Sequence, residues 1–279
     1  MSEILWLGDE RCGEVALVGG KAANLSQLAD VHLVPPGFAL TAVASSVGLT
    51  DPLADDVRRA YRGLGARIGM RAPRVAVRSS AIDEDGAGAS FAGQHDTYLN
   101  ITGEDAVVDA VARCVGSARS VEALAYREQQ GLTTDDAQMA VLVQQLVASD
   151  VSAVIFSVNP ITQDHDEVLI NSSWGLGESV VSGTVTPDMY VVRKSDYAVI
   201  SSQVSSKEQM TVMTEDGTEE VPVPAERRDE PSLTASQAIE MARLATKLEA
   251  AMGWPADIEC AVAYDELYLL QCRPITTLG

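Results

Sequence analysis

No apolar run in this sequence approaches the roughly 18 residues that would suggest a membrane span. Aromatic side chains are scarce, at 5% against 46% hydrophobic residues overall, so any core has to be built mainly from aliphatics. Positive charge is short as well: 20 Lys and Arg stand against 40 Asp and Glu, for a formal charge of −20. That balance argues against a nucleic-acid partner or an anionic membrane, because those surfaces reward clustered cations through counterion release. An anionic ligand would have to be held locally, by a few placed cations and backbone N–H groups. The four cysteines, Cys12, Cys114, Cys260 and Cys272, show no CxxC spacing and no histidine at metal-site spacing, which reads as reduced, structural thiols. The opening MSEILWLGDERCGE meets acids before any long apolar stretch and does not resemble a secretory signal. The expectation is a soluble, cytoplasmic protein with no nucleic-acid and no membrane partner.

At 279 residues the chain can bury a substantial core, as one large domain or two smaller lobes. A helix is expected to begin about Lys21, another over 52–69, a third over about 104–130, and a last over about 236–252 behind a Thr234-x-x-Gln237 capping box. Between them, RVAVRSSA, MAVLVQQLV, SAVIFSVNP, EVLINSSWG and DMYVVRKSDYAVISSQV read as strands. TEDGTEEVPVPAERRDEPS reads as a solvated loop with a possible Asp-Gly turn. This mixture points to an α/β or α+β fold.

Five stretches could carry chemistry. In GGKAANL, glycines feeding a helix start leave N–H groups for an anion and Lys21 adds a mobile charge, or else the stretch is a flexible turn with a solvated lysine. In VAVRSSAIDEDGAGASFAGQHDTYLN, Arg78 ends a strand beside a small, acidic segment over 83–93 that could close on a ligand; alternatively Arg78 pairs with Asp83 or Asp85. Gly93 would allow close backbone approach, or serve a turn. Gln144 and Gln145 lie on an apolar strand, where one of them needs a specific partner, an adenine edge or a structural hydrogen bond. In SSWGLGESVVSG, Glu178 follows a glycine turn that either walls a ligand or caps a helix.

The closing stretch DIECAVAYDELYLLQCRP is a hairpin. With Tyr264-Asp265-Glu266 as a three-residue loop, Glu259 falls opposite Gln271 and Asp257 opposite Arg273, all on one face. Ile258, Cys260, Val262, Tyr268, Leu270 and Cys272 then form the core face. The polar face is either a set of hard oxygen ligands beside a guanidinium, suited to Mg²⁺ on a phosphate ester, or a solvated face with an Asp257–Arg273 pair.

Taken in order, GGKAANL, VPPGF, VRSSAIDED…ASFAGQ…TYLN, VQQLV…SAVIFSVNP, SSWGLGESVVSG…PD and DIECAV…LYLLQCRPI closely resemble the N-terminal nucleotide-binding domain of the phosphoenolpyruvate synthase and pyruvate phosphate dikinase family, also carried by rifampin phosphotransferase. The resemblance covers nearly the whole chain. It implies an α+β, ATP-grasp fold, a single nucleotide-binding domain over 1–279, with two lobes of approximately 1–140 and 141–279 clamping ATP. It makes Lys21 and Arg78 phosphate-binding cations, brings Gly93, Thr97, Gln144 and Glu178 to the nucleotide, and has Glu259 and Gln271 hold Mg²⁺. Arg273 would contact the transferred phosphates, so that Lys21, Arg78 and Arg273 form the catalytic set.

In that family the phosphoryl acceptor is a histidine on a separate swivelling domain. His32, His95 and His165 all lie inside the ATP-domain blocks, and the chain ends just after RPITTLG. The expectation is a histidine on a separate carrier domain or protein, with AMP and Pi as products; a different acceptor, or an ATP domain excised from a longer chain, would also fit. A stand-alone kinase or ligase acting on a small molecule, and a non-catalytic nucleotide-binding module, are the alternatives.

Overall fold

A computed structural model describes residues 3–46, 48–82, 97–117, 120, 139–276 and 278. The chain is α+β and divides into two compact units, Met1–Leu146 and Val147–Gly279. The division falls a few residues after 140, which keeps the last strand of the first unit whole.

The first unit contains β1 (Ile4–Trp6), α1 (Val15–Leu28), β2 (Gly37–Leu40), α2 (Ala42–Ser46), α3 (Asp51–Ile68), β3 (Val75–Ala81), β4 (Thr97–Ile101), α4 (Glu104–Ser117) and β5 (Met139–Gln145). Its sheet is antiparallel, in the order β1-β2-β5-β3-β4. Helix α3 forms where expected because Leu53, Val57, Ala60, Tyr61 and Leu64 recur on one face and are buried. Pro52 sits in its first turn and Gly69, at φ 71°, closes it in the left-handed conformation. With α4, this helix buries Phe38, Leu40, Val75, Val77, Val141 and Val143 on one face of the sheet. The third expected helix is observed as α4; residues 118–119 and 121–138 lie outside the described residues.

The second unit contains β6 (Val151–Phe156), β7 (Glu167–Trp174), α5 (Glu178–Ser182), β8 (Asp188–Arg193), β9 (Val199–Gln203), β10 (Gln209–Met213), β11 (Thr218–Pro222), α6 (Ala235–Met252), β12 (Ala256–Ala263) and β13 (Glu266–Pro274). Six strands form one antiparallel sheet, in the order β13-β12-β6-β7-β8-β9. Helix α6 opens with the expected capping box, the Thr234 hydroxyl accepting from Gln237 N and the Gln237 side chain accepting from Thr234 N. Its buried Ala238, Met241, Ala242, Ala245 and Leu248 pack on the sheet face that carries Ile258, Ile155, Ile170 and Tyr190, aligned in one row across β12, β6, β7 and β8.

Two strand expectations change. The run after Asp188 is a hairpin, β8 and β9, rather than one strand. The acidic stretch expected to be a loop contributes β11, which pairs with β10 from Gln209↔Pro222 to Met213↔Thr218. Acidic side chains on a two-stranded ribbon stay solvated on its outer positions, so their polarity did not preclude a strand. A fully buried ion pair anchors the segment entering this ribbon. Lys207 Nζ lies 2.6 Å from Asp188 Oδ1 and donates to Ser205 O, while Asp188 Oδ2 accepts from the Ser232 amide and hydroxyl. Such a pair is tolerated because nearly every polar atom of the group is satisfied.

Candidate functional site

In the first unit, Arg78, Thr97 and Gln144 share the sheet face opposite α3 and α4. Arg78 on β3 pairs with Thr97 on β4 and with Leu142 on β5. Alternation places Ala76, Arg78 and Ser80 on that face, and Gln144, the cross-strand partner of Ala76, belongs to it too. Helix α1 packs against β3 and β5. Its backbone leaves helical geometry at Gly19, at φ 73° and ψ 169°. The helix expected to begin about Lys21 is thus the second half of a kinked helix that already starts at Val15.

Only glycine fits the kink: a Cβ at Gly19 would lie 2.1 Å from Ser80 O. Ser80 Oγ accepts from Ala22 N at 3.2 Å, so a hydroxyl from β3 caps the restarted helix, with Lys21 in its first turn. Gly19→Ala is expected to cost at least about 2 kcal/mol of stability, through backbone strain and the clash with β3. Urea unfolding of the variant checks this, and an unchanged midpoint would contradict the kink.

Gln144 is buried and its Nε2 donates to Pro35 O at 3.0 Å. The structural hydrogen bond is the one observed for this side chain. Arg78 is half-buried and Thr97 exposed. Gly93, His95, Asp83, Asp85 and the expected lid over 83–93 lie outside the described residues. Among the other histidines, His32 is half-buried and His165 exposed.

In the second unit the closing hairpin delivers the expected pairing by a different route. The turn has two residues, Tyr264 and Asp265, at φ 54° and 61°, and Ala263 pairs directly with Glu266. Positive φ at both central residues is the geometry whose twist suits a two-residue hairpin. A bulge at Leu270 then adds one residue to β13, so Cys260 pairs with Leu269 but Glu259 pairs with Gln271 and Asp257 with Arg273. The bulge also corrects the face assignment near the turn. Tyr268 and Leu270, expected on the core face, instead pack with Val147, Ala261 and Ala263 on the face that carries Glu259. Ile258, Cys260 and Cys272 face the core as expected.

Arg273 Nε and Nη2 each lie 2.9 Å from Asp257 Oδ2. Burial pushes the Asp257 carboxyl above the ordinary carboxylate range; Arg273 opposes that rise and Glu259 adds to it. Gln271 is buried at 2% exposure beside the half-buried Glu259. One carboxylate and one carboxamide are therefore cross-strand partners, next to a guanidinium already anchored by its own carboxylate. Among the described residues, no group of three or more His, Cys, Asp or Glu is arranged to hold a metal alone. That donor set fits Mg²⁺, which takes one or two protein oxygens and completes its shell with water and phosphate. Glu178 is exposed in the first turn of α5, where its Oε2 accepts from Thr218 Oγ1 at 3.2 Å.

Ser80 was missed from sequence, although a hydroxyl on a strand that is otherwise buried already asked for a partner. All four cysteines are buried free thiols. Among the described residues, no helix is long and apolar enough to cross a membrane.

The first unit thus carries a lysine on a glycine-kinked helix, and the second aligns a carboxylate and a carboxamide beside an anchored guanidinium. The chain belongs to the family of pyruvate phosphate dikinase AMP/ATP-binding domains, whose model matches residues 44–279. It is 41% identical over 249 residues to phosphoenolpyruvate synthase of Pyrococcus furiosus, covering 86% of this chain and 30% of that protein. The probable phosphoenolpyruvate synthase of Pyrococcus horikoshii is 34% identical over 357 residues, covering 99% of this chain and 44% of the relative. Rifampicin phosphotransferase of Streptomyces sviceus is 35% identical over 303 residues, with 95% and 35% covered. The chain spans less than half the length of these curated relatives.

Proposed function

We propose that this chain is the ATP-grasp, Mg-ATP-dependent part of a phosphotransferase that passes a phosphoryl group to a histidine on a separate carrier domain or protein. In this reading one phosphoryl of ATP ends on the histidine, and hydrolysis accounts for the other products, AMP and inorganic phosphate. The observation that carries it is the register of the closing hairpin, which aligns Glu259 with Gln271 and Asp257 with Arg273 on one face. Membership of an AMP/ATP-binding family supports the nucleotide, and relatives named as phosphoenolpyruvate synthase and rifampicin phosphotransferase support the reaction class.

Glu259 and Gln271 would hold the metal, and when bound Mg²⁺ would neutralise charge on the phosphate oxygens. Arg273, kept oriented by Asp257, is suited to meet charge developing on the transferred phosphoryl group. Lys21 and Arg78 are its counterparts in the first unit, with Thr97, Gly93, Gln144 and Glu178 assigned to nucleotide binding. Gln144 would act indirectly, through the segment it holds at Pro35. Four buried thiols suit a reducing, cytoplasmic setting.

The test is incubation with labelled ATP and a histidine-bearing carrier domain from a relative. Acid-labile phosphohistidine on the carrier, with AMP formed only in its presence, is expected. ADP or an acyl phosphate from this chain alone would point to a kinase or ligase instead. Tight nucleotide binding with no turnover of any kind would leave a binding module.

A further inference from the structure

The face that carries Glu259 extends well beyond the hairpin. In one register row across the six-stranded sheet stand Gln271 (β13), Glu259 (β12), Val154 (β6), Asn171 (β7) and Met189 (β8). Val154, Asn171 and Met189 are all partly exposed. One row towards the turn, Ser152 and Ser173 are almost fully buried, and a Cβ at Gly177 would sit 3.4 Å from Ser152 Cβ. The glycine turn leading into α5 thus covers the serine row, and accessibility starts at the row of Glu259 and Asn171. Asn159, another asparagine of this unit, is spent on the β6–β7 loop, donating to Glu167 Oε2 and accepting from Ile161 N. The Asn171 carboxamide has no such partner among the described residues, although it stands on a sheet face with both a donor and an acceptor to place.

We infer that Asn171 is a further ligand-binding residue of this chain, its amide donating to a phosphate oxygen or a metal-bound water of the nucleotide whose metal Glu259 and Gln271 hold. The inference rests on the metal reading of the hairpin. Two strand spacings put Asn171 about 10 Å from Glu259 along the row. An ion held by both Glu259 and Gln271 would sit nearer β12 and β13 than β7, beyond direct reach of a side chain as short as asparagine on β7. A phosphate oxygen or an ordered water bridges such a gap. The intervening residue, Val154, is short and apolar, so it neither competes for the ion nor blocks the line between the two polar groups. A neutral donor there also avoids a second carboxylate facing the phosphates, which two acids in the row would impose.

The experiment is calorimetric titration of the full chain with ATP, in excess Mg²⁺ and again in EDTA, for the wild type, Asn171→Ala, Asn171→Asp and Glu259→Ala, with melting temperatures as the folding control. Asn171→Ala is expected to weaken Mg-ATP binding about tenfold, the loss of one hydrogen bond to a charged oxygen, with its melting temperature unchanged. Asn171→Asp, nearly isosteric, should weaken binding more in EDTA than in Mg²⁺, because only the metal neutralises the phosphates that the new carboxylate faces. A packing role would instead lower the melting temperature and give the aspartate the same loss in both buffers, which overturns the inference. Wild-type affinity in both Asn171 variants, with Glu259→Ala impaired, also overturns it and leaves the metal reading standing. Wild-type Mg-ATP affinity in Glu259→Ala overturns the metal reading, and this inference falls with it.

Discussion

Glu259→Ala is expected to lower Mg²⁺-dependent phosphoryl transfer at least about a hundredfold while leaving the fold intact. The loss corresponds to about 2.7 kcal/mol of transition-state stabilisation, which is within what a correctly placed metal supplies. Glu259 is half-buried on the face away from α6, and its neighbours in the row, Gln271 and Val154, are paired with it through the strand ladder. Its removal therefore deletes an oxygen ligand without opening the core formed by Ile258, Cys260 and Cys272. Turnover measured against Mg²⁺ concentration, with melting temperature alongside, checks both halves. Gln271→Ala should follow the same trend more mildly, since an amide brings no net charge to the ion. Near-normal turnover in Glu259→Ala would remove the hairpin from the site.

Arg273→Ala is expected to destabilise the chain by about 2 kcal/mol at neutral pH and by clearly less near pH 4. Breaking a buried pair leaves the other charge uncompensated and costs about 3–5 kcal/mol; the lower figure allows for side chains 24% and 12% exposed. The sign follows from Asp257. Its folded pKa lies above the ordinary value because burial disfavours the charged form. The folded chain thus binds that proton more tightly than the unfolded chain does. The resulting stability is fully present below the unfolded pKa and is lost as pH rises through the folded one. Arg273 holds the folded value down, so its removal moves that value up and widens the window over which stability drains away. Urea unfolding at the two pH values is the measurement, and a loss independent of pH would contradict it. In Arg273→Lys, which keeps the charge but not the planar fork, turnover should fall well before ATP affinity does.

The hairpin shows how far sequence could reach. A three-residue loop and a two-residue turn with one bulge displace a strand by the same amount, so the pairing of Glu259 with Gln271 followed from either. What separates them is the positive φ that Tyr264 and Asp265 both adopt and the extra residue at Leu270. Neither carries a glycine to announce it, and the consequence, Tyr268 and Leu270 on the opposite face, could not be read. The Gly-Gly-Lys stretch was legible as a helix start but not as a kink, because the Ser80 hydroxyl that accepts from Ala22 N comes from 58 residues away. Gln144 is a similar case, its partner Pro35 lying 109 residues off. Long amphipathic elements such as α3 and α6 were plain from periodicity and caps. The β10–β11 ribbon was hidden by the adjacent acids Glu219 and Glu220, both exposed on a strand with little to bury.

The most direct test of the metal and nucleotide assignment is the gain in ATP affinity that Mg²⁺ brings, measured by calorimetry in the wild type, Glu259→Ala, Gln271→Ala and the double variant. The account expects Mg²⁺ to tighten ATP binding to the wild type at least about tenfold, that gain to be lost in Glu259→Ala, and the double variant to lose little more, because both side chains serve one ion. An undiminished Mg²⁺ gain in the double variant would contradict it.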